Sequence, residues 1–254
     1  MSVRRSLSAT VGYAGLRMGI APPKARFLER YREQWRMKSL LDRLRITTLL
    51  DVGANDGKFA ERLRLIGYTG RIVSFEPIPS ACEELRARAA RFSGWNAYEL
   101  ALGSAKGTAK FNIIEKGGAT VYSSFLSAAE IGEVPPVTRS QEVRIERLDA
   151  LWSEIIRPED RVFLKIDTQG FDMEVLKGTG EYLSQVLGIQ TEMSVIAIYH
   201  GAPHYLESLQ FLESKGFRLI ELRPIDYDRR GAILEFDCFM ARLEAMQEQR
   251  APKA

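Results

Sequence analysis

The chain has 254 residues, of which 45% are hydrophobic and 27% charged, with a formal net charge of +3. That length suits one large α/β domain and is too short for two domains of typical size with linkers. No run of 18 apolar residues occurs, so no membrane-spanning helix is predicted. Cys82 and Cys238 stand far apart without metal-ligand neighbours, which argues against a disulfide framework or a zinc site and favours packed thiols in a reducing cytoplasm.

The first 45 residues are strongly basic. They carry 11 Lys and Arg against 3 Asp and Glu, whereas the rest of the chain carries 25 against 30. Residues 25–44 are predicted to form an amphipathic helix. Its apolar side would consist of Phe27, Tyr31, Trp35, Leu40, Leu41 and Leu44. Such a helix can lie on an anionic membrane surface or bind a phosphorylated acceptor, but we favour the simpler interpretation that it packs against the sheet or a dimer partner.

The most informative segment is LLDVGANDG at residues 49–57. The apolar run over residues 48–52 predicts a buried parallel strand, and the spacing after it predicts a helix. The apolar side of that helix would be formed by Phe59, Leu63 and Ile66. Gly53 and Gly57 permit a sharp turn and a close approach of a ligand to the backbone. The segment therefore predicts a ligand pocket at the end of the first strand.

A second predicted strand, residues 71–76, ends in Glu76, 19 residues after Gly57. A glycine turn followed by an acid about 20 residues later is typical of nucleoside sites in α/β proteins, where the carboxylate accepts hydrogen bonds from the ribose hydroxyls. A dinucleotide site requires G-x-G-x-x-G, and here Asn55 and Lys58 occupy the later glycine positions.

S-adenosylmethionine has no pyrophosphate. Its aminocarboxylate and sulfonium need a close backbone turn with carboxylates nearby, and Asp51, Gly53 and Glu76 can supply these. The spacing therefore favours a methyl donor over NAD.

The remainder of the chain alternates strands and helices, which is typical of a parallel sheet covered on both faces. Further strands are predicted at residues 95–102, 107–115, 142–145, 161–167, 186–192, 217–222 and 233–241, the last two as an antiparallel pair. Helices are predicted at residues 81–92, 148–155, 171–177 and 205–215. Residues 116–140 lack periodicity and are predicted to form a long loop or lid near a site. Glu76, Asp167 and Glu192 each end a predicted strand, where open α/β sheets bind ligands.

Several blocks together carry a family resemblance. They are DVGANDGKF at residues 51–59, FEP at 75–77, ALG at 101–103, KIDTQGFD at 165–172, VLKG at 175–178 and EFDCFMAR at 235–242. In these blocks the chain resembles the FkbM family of S-adenosylmethionine-dependent methyltransferases. The family usually reads KIDVEGFE in the fourth block, so Gln169 stands in place of an acid, while Asp172 keeps one.

The resemblance covers residues 46–242 and implies the class I methyltransferase fold, a Rossmann-like fold. We therefore expect a mostly parallel seven-stranded sheet with an antiparallel final strand and helices on both faces. Residues 1–45 would form a basic helical extension, and residues 243–254 a polar tail.

The resemblance also implies a set of cofactor-binding residues. Asp51, Gly53 and Asn55 would line the methionine part of the cofactor, Glu76 the ribose, and Ala101 and Leu102 the adenine. Gly57 and Pro77 are further cofactor-binding candidates. Simpler interpretations are a tight turn at the glycines, a solvated acid at the strand end, and core packing for Ala101 and Leu102.

Methyl transfer mainly requires alignment of donor and acceptor and removal of one proton from the nucleophile. Asp167 is a candidate base or, with Glu192 and Asp237, a candidate ligand of a divalent metal ion, although it could instead cap the next helix. His200 is a second candidate base, with a surface histidine as the alternative. Candidates for acceptor binding are Thr120, Ser123, Ser124 and Glu192.

The predicted function is that of a cytoplasmic O-methyltransferase acting on a hydroxyl of a sugar, glycolipid or related secondary metabolite. A second hypothesis is a nucleoside-binding module without catalysis that contacts a membrane surface or a partner through residues 1–45. A third is an NAD-linked reductase, which Asn55 and Lys58 disfavour. No nucleic-acid partner is predicted; a homodimer and a metal ion are left open.

Overall fold

The computed structural model describes residues 26–115, 120, 122–129 and 134–247. The chain divides into two compact units, residues 1–37 and residues 38–254, and the second contains the sheet. Helix α1, Arg26–Arg43, confirms the predicted N-terminal helix. Within it Trp35 is 61% exposed, while Leu40 and Leu41 are buried. The side chains of Phe27 and Tyr31 lie outside the described part of the chain.

The described residues form ten strands and, after α1, six further α-helices. The strands are β1 Thr48–Val52, β2 Arg71–Phe75, β3 Trp95–Tyr98, β4 Ala101–Leu102, β5 Gly107–Ile113, β6 Arg139–Glu146, β7 Val162–Ile166, β8 Val186–Ser194, β9 Phe217–Tyr227 and β10 Ile233–Arg242. The helices are α2 Lys58–Leu65, α3 Pro79–Ala89, α4 Leu148–Ile155, α5 Asp172–Gly178, α6 Tyr205–Ser214 and α7 Leu243–Gln247, with a 3₁₀-helix at Gly180–Gln185.

Seven strands form the main sheet in the order β3-β2-β1-β7-β8-β10-β9. The five strands from β3 to β8 are parallel, and β10 runs antiparallel to β8 and β9. The predicted fold is therefore confirmed. In the register, Val52 lies opposite both Phe75 and Ile166, so the carboxyl ends of β1, β2 and β7 meet at one edge.

One prediction about the strands is wrong. The segment 95–102 does not form one strand, because the extended conformation breaks at Glu99 and Leu100. Its first part, β3, pairs with β2, whereas β4 joins a separate sheet in the order β4-β6-β5. In that sheet β6 pairs antiparallel with β5 over the whole length of β5, which explains why β6 is longer than predicted.

The larger core lies on one face of the main sheet. Leu50, Leu164, Ile189 and Met240 occupy neighbouring strands there and are fully buried. A smaller core lies beneath the second sheet and contains Phe111 and Ile145. Both cysteines are buried and unbonded, as predicted. Among the described residues, no helix combines the length and apolarity that crossing a membrane requires.

Candidate functional site

The turn between β1 and α2 lies against the ends of the neighbouring strands. The N–H groups of Gly53 and Ala54 both donate to the Phe75 carbonyl, at 3.0 and 3.1 Å. Gly53 has a φ of +73°, and a Cβ at this position would lie 2.0 Å from the Asp167 carbonyl oxygen. Only glycine fits here, because the backbone of β7 comes so close.

Gly57 serves a different purpose from the predicted one. Its φ is +80°, and an added Cβ would lie 2.6 Å from Leu85 Cδ1 on α3. The space in front of this glycine is therefore occupied by the protein's own core. Gly57 brings α2 close to α3 and does not line the cavity described below.

Glu76 follows β2 and has its carboxylate fixed from two sides. Oε2 accepts from Asn55 N at 2.8 Å, and Oε1 accepts from Ile78 N at 2.9 Å. Only 5% of the residue is exposed, and this burial raises the pKa of Glu76 to about 7, although the two backbone N–H groups act in the opposite direction. Asn55 has a φ of +48°, and its Oδ1 lies 3.4 Å from Thr120 Oγ1.

Lys165 forms ion pairs with two carboxylates next to the turn between β1 and α2. Its Nζ is 3.1 Å from Asp51 Oδ1, 3.3 Å from Asp167 Oδ2 and 3.4 Å from the Gly53 carbonyl. Its side chain is 5% exposed. Burial lowers the pKa of Lys165, but the two carboxylates more than offset that effect and raise it. Lys165 therefore stays charged and neutralises part of the acidic cluster.

Gln169 bridges two carboxylates at the ends of adjacent strands. Its Nε2 donates to Asp167 Oδ1 at 3.1 Å and to Glu192 Oε2 at 2.8 Å. Its Oε1 lies 2.9 Å from the Tyr199 hydroxyl, and its carbonyl accepts from Ser124 Oγ at 2.7 Å. The backbone of Gln169 is left-handed, with a φ of +53°. A left-handed glutamine with every polar group of its side chain engaged is characteristic of a site whose geometry is tightly determined.

Asp172 is the first residue of α5, and both of its carboxylate oxygens accept hydrogen bonds. Its Oδ1 accepts from both the N–H and the hydroxyl of Thr168, and its Oδ2 accepts from the Thr191 hydroxyl at 2.7 Å and from Glu192 N at 3.0 Å. The alternative interpretation of Asp167 as a helix cap is therefore wrong, because α5 begins only at Asp172.

A cavity of about 580 Å³ opens along the carboxyl ends of these strands. Ten of the residues predicted for cofactor, catalysis or acceptor line it: Gly53, Asn55, Glu76, Pro77, Ala101, Leu102, Thr120, Ser123, Asp167 and Glu192. An aromatic group completes the wall, with Phe125 4.8 Å from Phe111 and 4.7 Å from Phe171 between ring centroids. The volume lies within the range of small-molecule sites.

The structure does not bring the other predicted residues to the cavity wall. These are Asp51, Gly57, Ser124, His200 and Asp237. Asp51 and Ser124 are buried beneath it, and His200 is exposed in the loop after β8. Asp237 forms an ion pair with Arg223, so it does not converge with Asp167 and Glu192 as a ligand set. Among the described residues, no group of three or more His, Cys, Asp or Glu side chains has the geometry to hold a metal ion.

Two residues of the site were missed in the sequence. Lys165 could have been found, because a lysine inside the apolar run VFLKI has to be paired with an acid when the strand is buried. From the sequence, Gln169 was recognised only as a replacement for the acid that the family usually carries at this position. Its role depends on the spatial neighbourhood of Asp167, Glu192 and Tyr199, and Tyr199 is 30 residues away in the chain.

This sheet order, with a pocket at the strand ends between a glycine turn and an acid after the second strand, defines a class I methyltransferase. The sequence profile of the methyltransferase FkbM domain matches residues 51–219. The chain therefore belongs to the FkbM methyltransferase family, as the sequence motifs predicted. It is an S-adenosylmethionine-dependent methyltransferase.

Individual relatives are distant. The 2-O-methyltransferase NoeI of Sinorhizobium fredii is 26% identical over 184 residues, covering 69% of this chain and 74% of that protein. Methyltransferase 1 of Beauveria bassiana is 22% identical over 188 residues, with the same coverage of 69% and 74%. Among solved structures, Aeropyrum pernix fibrillarin with natively bound S-adenosyl-L-methionine is 10% identical, covers 77% of this chain and 66% of its own, and has a TM-score of 0.43. Synechocystis magnesium protoporphyrin IX methyltransferase is 10% identical, with 91% coverage of both chains and a TM-score of 0.42.

Proposed function

We propose that the protein transfers the methyl group of S-adenosylmethionine to a hydroxyl of a sugar, a glycolipid or a related secondary metabolite. The observation that carries this proposal is the Glu76 carboxylate. It is buried at the end of β2, fixed by two backbone N–H groups and open to the cavity. Each carboxylate oxygen has a second lone pair, with which it can accept a hydrogen bond from a ribose hydroxyl.

The other wall residues fit the remaining parts of the cofactor. In this proposal Gly53 and Asn55 face the methionine part, Pro77 contacts the ribose, and Ala101 and Leu102 pack against the adenine. Asp167 and Glu192, both at the cavity wall, give the end near β7 and β8 a negative potential that suits a sulfonium. Asp51 acts on this end indirectly, through its ion pair with Lys165.

The acceptor would enter beside the long loop. Thr120 and Ser123 line the cavity there and can donate to acceptor oxygens, while Asp167 and Glu192 lie at the strand ends opposite. S-adenosylmethionine supplies an already activated methyl group, so the residues of this chain have to align the hydroxyl and remove its proton. Ser124, in contrast, supports the loop from within, because its hydroxyl bonds to the Gln169 carbonyl.

The choice of an oxygen acceptor is supported by the name of one relative, a 2-O-methyltransferase. The reductase hypothesis is not supported, because the turn lacks the second and third glycines that a pyrophosphate needs. The hypothesis of nucleoside binding without catalysis predicts the same cofactor affinity but no turnover.

Calorimetry with S-adenosylhomocysteine and with NAD tests the cofactor. We expect 1:1 binding of S-adenosylhomocysteine and none of NAD. Glu76→Gln should weaken that binding by about 10- to 100-fold, because hydrogen bonds to a charged group contribute about 1.5–3 kcal/mol. The control is Glu99→Gln, which removes an exposed carboxylate that pairs with Arg86 and does not line the cavity. Equal affinities of the two variants would contradict the assignment of Glu76.

Turnover distinguishes an enzyme from a binding module. A panel of methyl glycosides is incubated with methyl-labelled S-adenosylmethionine, and transfer of the label is measured. The two residues predicted from the sequence as catalytic are tested by Asp167→Asn and His200→Ala. Loss of turnover with unchanged S-adenosylhomocysteine affinity would support either role, and full activity of a variant would refute it.

We also propose a cytoplasmic location, where the two buried thiols stay reduced, with contact to the inner membrane face when the acceptor is lipid-linked. The basic composition of residues 1–45 supports that contact. Co-sedimentation of the full chain with anionic vesicles, lost at high salt and absent with neutral vesicles, is the expected result. Equal sedimentation with both kinds of vesicle would contradict it.

A further inference from the structure

Gln169 connects the long loop with the carboxylates at the strand ends. On the loop side, its carbonyl accepts from the Ser124 hydroxyl, and its Oε1 lies 2.9 Å from the hydroxyl of Tyr199, which is itself 3.0 Å from the Tyr122 carbonyl. On the sheet side, its amide donates one hydrogen to Asp167 and the other to Glu192. The side chain of Gln169 also lines the cavity.

The chemistry of these contacts requires an amide at position 169. Two carboxylates need two donors, and the two amide hydrogens of a glutamine side chain supply them. Its Oε1 lies beside the Tyr199 hydroxyl, which also has the Tyr122 carbonyl as an acceptor. A glutamate in its place would present no donor and would add a third negative charge beside Asp167 and Glu192. The orientation of the amide is also determined, because Nε2 must face the carboxylates and Oε1 must face Tyr199.

The two carboxylates that Gln169 contacts are not equivalent. Asp167 has both oxygens engaged, Oδ1 by Gln169 at 3.1 Å and Oδ2 by the Lys165 ammonium at 3.3 Å. Glu192 accepts from Gln169 through Oε2, and no described residue donates to its Oε1. Because Glu192 lines the cavity, this second oxygen remains available to an acceptor.

The surroundings of Glu192 favour proton uptake. Burial raises the pKa of Glu192 well above its usual value, and four acids add to the shift: Asp167, Glu235, Asp237 and Asp172. Two cations of this region are paired with other acids. Lys165 forms ion pairs with Asp51 and Asp167, and Arg223 forms one with Asp237. A carboxylate with a raised pKa binds a proton more strongly than an ordinary one, as a general base requires.

We propose that Glu192 is the catalytic base of the methyl transfer and that Gln169 is the residue that positions it. This inference rests on the proposed function. Oε1 of Glu192 takes the proton of the acceptor hydroxyl while the acceptor oxygen forms a bond to the methyl carbon. The carbon–sulfur bond breaks, its electron pair stays on sulfur, and Glu192 later releases the proton to water. Asp167 stays paired with the Lys165 ammonium throughout.

The first test measures Glu192 without any acceptor or cofactor. In protein labelled with [5-¹³C]glutamate, the carboxyl signals are followed by NMR as the pH is varied, and the signals missing from Glu192→Gln and Glu235→Gln assign these two groups. We expect Glu192 to titrate at higher pH than the exposed glutamates. Gln169→Met should move its titration to still higher pH, because the variant removes the donor that stabilises the anion.

Gln169→Glu provides a second variant in case Gln169→Met does not fold. It should also raise the pH at which Glu192 titrates, here through repulsion by an added carboxylate. A Glu192 signal that titrates together with the exposed glutamates would overturn the proposal. So would a signal that neither Gln169 variant moves.

The second test uses the labelled-methyl assay with methyl glycosides. Glu192→Gln should lower kcat by about 10²- to 10⁴-fold. It should also abolish the limb of the pH profile that rises with pH, while leaving the affinity for S-adenosylhomocysteine unchanged. Glu99→Gln is the control, because it removes an exposed carboxylate that pairs with Arg86 and does not line the cavity. Its kcat should equal that of the wild type.

The two tests fail in different ways. If Glu192→Gln retains the rising limb, or if Asp167→Asn alone abolishes it, the assignment of the base is wrong. If no S-adenosylhomocysteine binds, the proposed function is wrong. If the cofactor binds but no glycoside is methylated, the acceptor class is wrong. In that case the NMR titration alone tests whether Gln169 controls the protonation of Glu192.

Discussion

Lys165 is paired with two carboxylates on neighbouring strands. Its ammonium lies between Asp51, which is fully buried, and Asp167 at the cavity wall. A buried carboxylate without such a partner has a large desolvation cost. The lysine therefore makes it possible for an acid to stand inside β1.

We predict that Lys165→Met destabilises the protein by about 3–5 kcal/mol, because it leaves a buried carboxylate uncompensated. Urea unfolding measures the change. Lys58→Met is the matched control: it also removes a lysine from an ion pair, but at a position where 57% of the side chain is exposed, and should cost less than about 1 kcal/mol. The double variant Asp51→Asn/Lys165→Met should recover part of the loss, and equal losses for the two single variants would contradict the role of Lys165.

For individual residues, the sequence predicted correctly those positions at the cavity that belong to a local motif. Glu76 and Asn55 could be placed at the cavity because a strand, a turn and a strand-end acid have a fixed geometry in α/β folds. Ser124 and His200 could not be placed, since the direction in which a loop residue points depends on contacts distant in the chain. For His200 the deciding contact is a backbone hydrogen bond to Ser127, 73 positions before it.

The turn between β1 and α2 tolerates no side chain at Gly53. Gly53 combines a left-handed backbone with a contact that leaves no room for a side chain. Gly201 has a comparable φ of +82° but no atom within 4 Å of an added Cβ. Alanine substitutions at Gly53 and Gly201 therefore distinguish the cost of backbone strain from the cost of a steric clash.

We predict that Gly201→Ala costs about 1 kcal/mol of the free energy of unfolding, from backbone strain alone. Gly53→Ala should cost about 3 kcal/mol or more, because the Asp167 carbonyl must also move. That movement should reduce the affinity for S-adenosylhomocysteine, which Gly201→Ala should leave unchanged. Thermal or urea unfolding measures the loss of stability, and calorimetry measures the affinity. Similar losses of stability for the two variants would show that the clash with the Asp167 carbonyl at position 53 adds little to the cost of the substitution.

The elements themselves were predicted well where the apolar pattern was long. β1 and α4 have the predicted ends, whereas β6, β8 and β9 extend beyond them. The extensions arise from pairing, which supplies hydrogen bonds to polar segments such as Arg139–Glu146 whose sequence alone is ambiguous. The break at Glu99 and Leu100 was missed for the same reason, since only a partner strand shows that β4 belongs to another sheet.

Across the whole molecule, several carboxyl groups are buried with raised pKa values. Burial raises the pKa of Glu76 and of Glu235 to about 7, and that of Asp172 and Asp237 above their usual range. In the folded state these groups hold their protons to a higher pH than in the unfolded chain, where the usual pKa is 4.5 for glutamate and 3.8 for aspartate. The contribution of Glu76 and Glu235 to stability is therefore fully present at low pH and is lost as the pH rises through about 7.

We predict that the free energy of unfolding of the cofactor-free protein decreases between pH 5 and pH 7. Glu76 and Glu235 should each contribute up to about 1.4 kcal/mol per pH unit to that slope. Urea unfolding at a series of pH values gives the profile, and the variant Glu76→Gln/Glu235→Gln should flatten it. Stability that rises over the same interval would show that other groups dominate.

The hydrogen bonds that join Ser124 and Tyr199 to Gln169 have a consequence for how this enzyme can change its substrate. The segment that would select the acceptor is physically continuous with the group that would remove its proton. Remodelling of that segment for a new substrate would alter reactivity together with specificity, unless these two anchors were preserved. Divergence within this fold should therefore proceed by exchange of outward-facing loop residues around a retained serine–glutamine–tyrosine connection.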